Sequence, residues 1–200
     1  GAPGPGGGRG VAFINLADSA NPIGDVEIRN NTLSNFGGAA VWVEINNTAL
    51  DDPLTIADNT ITQNVGLLTT SGATIAVNLT AAKTHAAVAI TDNSVTLSGV
   101  FGAATAAHAL RVSGGLTDLT VSGNDLNGGN VGNNGGAPAT SGLFIATNSA
   151  DFGALNPGDS AEVSLNTITG FVNGISIYDE VGAAFGGLPV VNGLSIARNK

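Results

Sequence analysis

One polar residue recurs inside the same hydrophobic frame along the chain. In each copy two apolar residues alternate with other residues, an asparagine follows three positions after the second, and a further apolar residue usually stands two positions beyond it. The first copy runs from Val26 through Ile28 and Asn31 to Leu33. The six asparagines are Asn31, Asn59, Asn93, Asn124, Asn166 and Asn199. Their separations of 28 to 42 residues are typical of a repeat architecture.

A second hydrophobic pattern lies between successive asparagines. It is a pair of apolar residues one position apart, and it occurs as Val11 and Phe13, Val41 and Val43, Ile75 and Val77, Leu110 and Val112, Leu143 and Ile145, and Ile175 and Ile177. Such pairs, bounded by stretches rich in Gly and Asn, predict short strands with one buried face. Each repeat should therefore contribute three short strands, one from this pair and two flanking the asparagine. Glycine makes up 30 of the 200 residues, which further favours an all-β fold rich in turns.

These repeats are expected to stack, because no single repeat can bury its apolar residues alone. The result would be one elongated solenoid of about six coils. The asparagine is expected at a sharp corner between two strands, in the left-handed backbone conformation that Asn tolerates better than most residues. Stacked asparagines can pass side-chain amide hydrogen bonds from coil to coil. The pattern therefore predicts an asparagine ladder that runs the length of the solenoid.

The frame with its asparagine at a tight turn resembles the right-handed parallel β-helix of the pectate-lyase-like superfamily. The resemblance covers residues 11–200, and it implies three short strands per coil and a right-handed, single-stranded solenoid. Residues 1–10 are rich in Gly and Pro, and they are expected to form a linker or the edge of a coil. The frame at Asn199 stops partway round a coil, so residues 11–200 are expected to be truncated from, or to continue into, a longer β-helix. End-to-end contact between neighbouring copies is the alternative.

Charge and composition narrow the classes of partner. The formal net charge is −9, which repels phosphate backbones and makes nucleic acid an unsuitable partner. The chain has no cysteine, and no apolar run approaches the roughly 18 residues that a membrane span needs. Six lysines and arginines beside abundant Asn, Thr and Gly resemble the composition of bacterial secreted or surface proteins. We therefore expect an extracellular or cell-surface location and no membrane span.

One face of the solenoid gathers the residues best suited to binding a ligand. Residues that alternate with the second apolar pattern should face solvent. One such column is Ala12, Trp42, Ala76, Arg111, Phe144 and Ser176, and its neighbour is Ile14, Glu44, Asn78, Ser113, Ala146 and Tyr178. Aromatic rings beside polar groups suit the stacking of sugars, so Trp42, Glu44, Arg111, Phe144 and Tyr178 are the candidate glycan-binding residues. The alternative is that these bulky side chains pack under flanking loops.

Candidate metal ligands form two pairs of adjacent acids. Asp51 and Asp52 follow one strand of the second pattern, and Asp179 and Glu180 follow another. Oxygen-rich loops bind hard cations, so these residues are candidate ligands for a structural Ca²⁺, although adjacent acids in loops are more often solvated surface residues. No other cofactor is expected. His85 and His108 have no neighbours at ligand-like spacing that would predict a zinc site.

The sequence provides no catalytic residues that we would assign. Polysaccharide lyases of the similar fold need an acidic calcium-binding cluster beside a basic residue, whereas this face offers Glu44 and Arg111 two coils apart, about 10 Å. The motifs of the family's galacturonases are missing. We therefore expect a structural or adhesive module, namely a stalk, adhesin or fibre segment with weak glycan binding. The alternative is a carbohydrate-active enzyme, either a polysaccharide lyase or a glycosidase.

Overall fold

The computed structural model of the chain describes residues 8–15, 23–45, 48–67, 72–79, 86–99, 107–114, 118–129, 141–149, 153–154, 160–179 and 194–200. The described residues are almost entirely short strands and tight turns. The strands are β1 (Val11–Asn15), β2 (Val26–Arg29), β3 (Thr32–Ser34), β4 (Val41–Ile45), β5 (Leu54–Ala57), β6 (Thr60–Asn64), β7 (Gly72–Leu79), β8 (Val88–Thr91), β9 (Ser94–Ser98), β10 (Ala107–Gly114), β11 (Asp118–Ser122), β12 (Asp125–Asn127), β13 (Ser141–Ser149), β14 (Gly153–Ala154), β15 (Ser160–Ser164), β16 (Thr167–Thr169), β17 (Asn173–Asp179) and β18 (Leu194–Ala197). One turn of 3₁₀ helix, Val65–Leu67, follows β6. No helix within these ranges is long and apolar enough to cross a bilayer.

Three parallel sheets form the walls of a β-solenoid. The first sheet has the order β1-β4-β7-β10-β13-β17, with β14 pairing antiparallel to the end of β13. The second sheet has the order β18-β15-β11-β8-β5-β2, and the third has the order β16-β12-β9-β6-β3. Strands that are neighbours in a sheet come from successive repeats, as stacking requires. The predicted all-β solenoid with three short strands per repeat is therefore confirmed.

The number of turns is slightly lower than predicted. We expected about six coils, and the solenoid has about 4 turns. The physical reason is that only five of the six asparagine corners are followed by a described strand of the third sheet, and five strands enclose four intervals. The third sheet illustrates this, because its five strands enclose four revolutions in which all three walls are present.

The hydrophobic core is one continuous column inside the three walls. Both sequence patterns point inward, since the apolar pairs at Val41 and Val43 and at Leu54 and Ile56 are fully buried. The same holds in later coils, as at Val112 and Val121. In-register pairing places each of these residues directly over its equivalent in the next coil. A continuous core of this kind explains why each repeat depends on its neighbours.

The asparagine ladder is present at all six positions. In each step the backbone N–H and the side-chain Nδ2 of one asparagine both donate to Oδ1 of the next, at 2.9–3.1 Å. From Asn59 onward, Nδ2 also donates to a backbone carbonyl of the preceding coil, as from Asn93 to Ile56 at 2.9 Å. Four ladder residues, Asn59, Asn93, Asn124 and Asn166, are 1% exposed. The ladder thus satisfies polar groups that would otherwise be buried without partners.

The left-handed residue at the corner is not the ladder asparagine, and this part of the prediction is wrong. Positive φ occurs at the residue just before each asparagine: Asn30, Asp58, Asp92, Gly123, Leu165 and Arg198, with φ from 55° to 68°. That residue makes the turn and is exposed at every one of the six corners. The ladder asparagine is left free to direct its N–H and its side chain along the stack. Tolerance of the left-handed conformation therefore governs the position before the ladder.

We expect replacement of a central ladder residue to be costly. Asn93→Ala removes the acceptor for two donors of Asn59 and leaves the Ile56 carbonyl without its side-chain donor. At about 1–3 kcal/mol for each buried group left unsatisfied, the free energy of unfolding should fall by at least about 3 kcal/mol. Asn31→Ala at the half-buried start of the ladder should cost about 1 kcal/mol, because water can reach the groups left behind. Equal losses for the two variants in urea titrations would contradict this role for the ladder.

A second substitution tests the corner geometry. Leu165 has φ 58°, a backbone conformation that is strained for a residue with a Cβ atom. Its side chain is 54% exposed, so burial offsets little of this strain. Leu165→Asn should raise the free energy of unfolding by about 1 kcal/mol, because Asn adopts this conformation more readily. Leu165→Ala is the matched control, since it shortens the side chain but keeps Cβ. Thermal or urea unfolding that ranks Ala equal to Asn would show that the corner is not strained.

Candidate functional site

Strand pairing in the first sheet aligns the two outward columns as the sequence predicts. Trp42 pairs with Ala12 and Ala76, and Arg111 pairs with Ala76 and Phe144. The neighbouring column follows the same register, with Glu44 paired to Asn78 and Tyr178 paired to Ala146. The candidate residues therefore share one wall of the solenoid.

The expectation that both columns face solvent is wrong for their central members. Asn78, Ser113 and Ala146 are 0% exposed and Ala76 is 1% exposed, whereas Trp42, Glu44, Arg111 and Phe144 are half-buried. Ala76 illustrates one cause, because it lies between Trp42 and Arg111 on the neighbouring strands and is shaded by their larger side chains. The solvent-accessible surface of this face therefore belongs to its large side chains.

The first group on the face is built around Trp42. The guanidinium carbon of Arg9 lies 4.2 Å from the centroid of the Trp42 ring, within the range of a cation–π interaction. The indole Nε1 of Trp42 donates a hydrogen bond of 2.9 Å to Oε2 of Glu44. Arg9 is brought there because residues 8–10 run beside residues 38–40, with Gly10 N–H donating to the Ala39 carbonyl. Arg9, Trp42 and Glu44 together are called the Trp42 group below.

The second group lies two to three strands further along. The His108 and Phe144 rings are stacked, with centroids 4.4 Å apart and planes inclined by 29°. The guanidinium carbon of Arg111 lies 5.9 Å from the Phe144 centroid. In the same region the hydroxyls of Ser141 and Ser176 are 2.7 Å apart. His108, Arg111 and Phe144 are called the His108 group below.

His108 contacts Phe144 although simple alternation from Leu110 places it on the inward side of β10. The register of β10 with both neighbouring strands is the same on either side of Ala109, so the contact does not come from a break in the pairing. His108 is 8% exposed, and its Nδ1 atom has no hydrogen-bond partner among the described residues.

The surroundings of His108 keep its imidazole neutral. Burial and, to a smaller extent, the nearby positive charge of Arg111 lower its pKa to about 4. At neutral pH one ring nitrogen therefore carries a proton and the other is an acceptor. A neutral ring can stack on Phe144 without a desolvated charge.

The acid and the base on this face lie apart. Glu44 belongs to β4 and Arg111 to β10, and β7 lies between them in the sheet. Two strand spacings are about 10 Å, which matches the sequence prediction. Within the outward columns, Trp42 Nε1 donates to Glu44 Oε2, and Ser113 Oγ donates to Asn78 Oδ1 at 2.7 Å.

The structure does not bring the two candidate calcium-binding pairs together. Asp51 and Asp52 are exposed and follow β4. Asp179 ends β17, four strand spacings or about 19 Å away along the first sheet, and Glu180 lies outside the described residues. No group of three His, Asp or Glu side chains suited to a metal ion occurs in the part of the chain that the structure describes. Two carboxylates at Asp51 and Asp52 are few for Ca²⁺, which takes six to eight oxygen ligands.

Sequence reasoning missed Arg9 and His108. Arg9 lies in a Gly- and Pro-rich start that reads as a linker, and its only signal is a positive charge two residues before a predicted strand. The alternation of β10 places His108 inward, and nothing in the sequence marks its contact with Phe144. The chain itself matches no known protein-family model, no curated protein and no solved structure.

We expect the stability of the protein to depend on pH through His108. Its pKa is about 4 in the folded state and near 6.5 when unfolded, so between these values the unfolded state binds more protons. The stabilisation is complete above pH 6.5, and it is lost as the pH falls toward 4. The loss should be on the order of 3 kcal/mol.

The matched variants are His108→Phe, which keeps a ring against Phe144, and His85→Gln, which removes the chain's other histidine. Urea unfolding between pH 7 and 4.5 should give a flattened profile for His108→Phe and an unchanged slope for His85→Gln. A wild-type slope in His108→Phe would contradict the assignment.

Proposed function

We propose that this chain is a structural or adhesive module of an extracellular or cell-surface β-helix protein, used as a stalk, adhesin or fibre segment. The observation that carries the proposal is the unbroken asparagine ladder from Asn31 to Asn199. Every described coil is tied to the next by the same buried bonds, which favours a stiff rod. A rod of this kind suits a mechanical role, in which length and rigidity matter more than a reactive site.

The chemistry of the outward face supports the same role. Trp42 Nε1 is engaged by Glu44, and Asn78 Oδ1 is engaged by Ser113. Glu44 and Arg111 lie too far apart to act on one bond without help from other groups. We further propose that the solenoid is related to the pectate-lyase-like β-helices, on the strength of the ladder at the turn between the second and third sheets.

Weak glycan binding is proposed for the outward face of the first sheet. Trp42 and Phe144 are half-buried aromatic rings separated by two intervening strands, or about 14 Å. Each has a guanidinium group beside its ring, from Arg9 and Arg111 respectively. Aromatic surface bordered by hydrogen-bond donors suits an extended carbohydrate, and Tyr178 would extend the same face.

The structural role is tested by incubating the chain with a panel of acidic and neutral polysaccharides, with and without Ca²⁺. We expect no release of unsaturated or reducing ends under either condition. Release that depends on Ca²⁺ would favour a polysaccharide lyase, and release without it would favour a glycosidase. Either result would overturn a purely structural role.

Glycan binding is tested by affinity electrophoresis in gels that contain the same polysaccharides. Trp42→Ala and Phe144→Ala should each weaken retention roughly fivefold, because each removes aromatic stacking surface. Leu67→Ala is the control, since Leu67 is 48% exposed but lies in the 3₁₀ turn away from this face. Unchanged retention in both aromatic variants would rule out binding at this face.

A further inference from the structure

The outward face of the third sheet carries a polar side chain at every position of two aligned columns. The residues of the first column are Thr32, Thr60, Ser94, Asp125 and Thr167. Those of the second column, two positions further along each strand, are Ser34, Thr62, Thr96, Asn127 and Thr169. All are exposed except Ser94 and Thr96, which are half-buried. Eight of the ten side chains carry a hydroxyl group. These ten positions are called the hydroxyl face below.

Strand propensity alone does not explain this composition. Threonine is common in strands, but the outward columns of the second sheet in the same solenoid hold Glu27, Arg29 and Glu162, together with alanines such as Ala89. The hydroxyl face has one charged residue, Asp125, in a chain whose net charge is −9, and it has no aromatic ring. It therefore lacks both the charges that attract ions and the rings that stack on sugars. A neutral ligand recognised by hydroxyl groups fits such a face.

The hydroxyls are available to a ligand and are held at fixed positions. Within the part of the chain that the structure describes, none of the eight makes a hydrogen bond to the protein. Six of them belong to threonine, whose branched Cβ restricts rotation of the side chain. A ladder asparagine immediately precedes each member of the first column, as Asn59 precedes Thr60. Side-chain ladders of this kind keep a sheet flat over several strands.

The spacing of the hydroxyl face is close to that of ice. Neighbouring strands are about 4.8 Å apart, and alternate residues of one strand are about 6.6 Å apart. Tetrahedral water with hydrogen bonds of about 2.75 Å, as in hexagonal ice, has second neighbours about 4.5 Å apart and repeats at about 7.3 Å along the hexagonal axis. The face therefore differs from ice by about 0.3 Å along a column and about 0.7 Å between the columns.

These differences are small enough for the whole face to match. Over the four intervals between the five strands, the difference along a column accumulates to about 1.2 Å, which is less than half of one ice spacing. Each hydroxyl therefore stays nearest to its own oxygen position in the ice. A hydroxyl donates one hydrogen bond and accepts two, so it can replace a water molecule at such a position.

We propose that the hydroxyl face binds the surface of ice, with its hydroxyls at the positions of water oxygens in the crystal. Each contact contributes little by itself, because a hydroxyl exchanges one hydrogen bond with water for another. Binding therefore depends on many positions meeting the ice at once, which the register of the sheet provides. Asp125 opposes binding, because its charge loses part of its hydration by liquid water on contact with the crystal. This activity is additional to the structural or adhesive role and does not depend on it.

Two measurements on the whole chain test the proposal. The first is the gap between the melting and freezing points of a single ice crystal in the protein solution, and the second is enrichment of the chain in slowly growing ice. The unmodified chain should give both signals above the level of an unrelated soluble protein at the same concentration. Their absence would overturn the proposal.

Matched variants locate the binding face. Thr96→Tyr should reduce both signals at least about fivefold, because a ring in the middle of the hydroxyl face holds the neighbouring hydroxyls away from the ice. Thr120→Tyr is the control, since Thr120 is also a half-buried outward threonine but belongs to the second sheet, and it should leave both signals unchanged. Thr96→Ser keeps the hydroxyl and should keep most of the activity. Circular dichroism confirms the fold of each variant, and equal losses in the two tyrosine variants would rule out this face.

Asp125→Thr tests the same face by a gain of activity. It completes the first column with a hydroxyl and removes the charge, so the gap between melting and freezing points should widen about twofold or more. A narrower gap in a correctly folded variant would contradict the proposal.

Two other occupants of the hydroxyl face would give different results. A mass in light scattering that falls from dimer to monomer with Thr96→Tyr would assign the face to a second copy of the chain. Retention in polysaccharide gels that falls with Thr96→Tyr and not with Thr120→Tyr would assign it to a carbohydrate. Either result would overturn ice as the ligand of this face.

Discussion

The buried asparagine amide is the interaction on which the rest of the solenoid depends. An amide has two donor hydrogens and an acceptor oxygen, and at a buried corner each needs a partner. Asn93 meets this need with Oδ1 accepting from Asn59 and Nδ2 donating to Asn124 and to the Ile56 carbonyl. The donors and the acceptor of the amide all find these partners only when asparagines stack in register. The ladder therefore fixes the alignment of the coils, and with it the alignment of the apolar columns inside and the two outward columns.

The alignment of the coils also decides which side chains are neighbours on the outward face of the first sheet. Because the strands stay in register, one wall carries the column of Trp42, Ala76, Arg111 and Phe144, with about 4.8 Å between neighbouring members. Side chains on neighbouring strands are then close enough to contact one another, as Ser113 Oγ donates to Asn78 Oδ1. For the glycan binding proposed above, a regular wall of this kind would favour an extended ligand, contacted weakly at several levels, over a small molecule held in one pocket.

Much of this fold could be predicted from the sequence because both patterns are strictly local. The frame around Asn93 and the pair at Ile75 and Val77 indicate which residues point inward. Stacking of the coils then determines which residues pair on neighbouring strands. The corner conformation could not be predicted so simply, because Asn30 and Asn31 are adjacent and propensity does not say which of them makes the turn. The candidate site was predictable in part for a similar reason. Alternation placed Trp42 and Phe144 on one face, but it could not reveal that His108 stacks on Phe144.

The hydrogen bonds of the ladder run in one direction along the axis of the solenoid. They therefore make the corner polar along that axis. In Asn59 and Asn93 the backbone N–H and one Nδ2–H both donate to the next asparagine, so this set of bonds repeats in one direction along the stack. Each coil therefore stacks on the next in a single orientation. The Gly, Asp or Leu before each asparagine can vary because that residue makes the turn and takes no part in the ladder. The asparagine cannot vary without leaving its neighbours on both sides unsatisfied, which explains why it recurs while the rest of each corner changes.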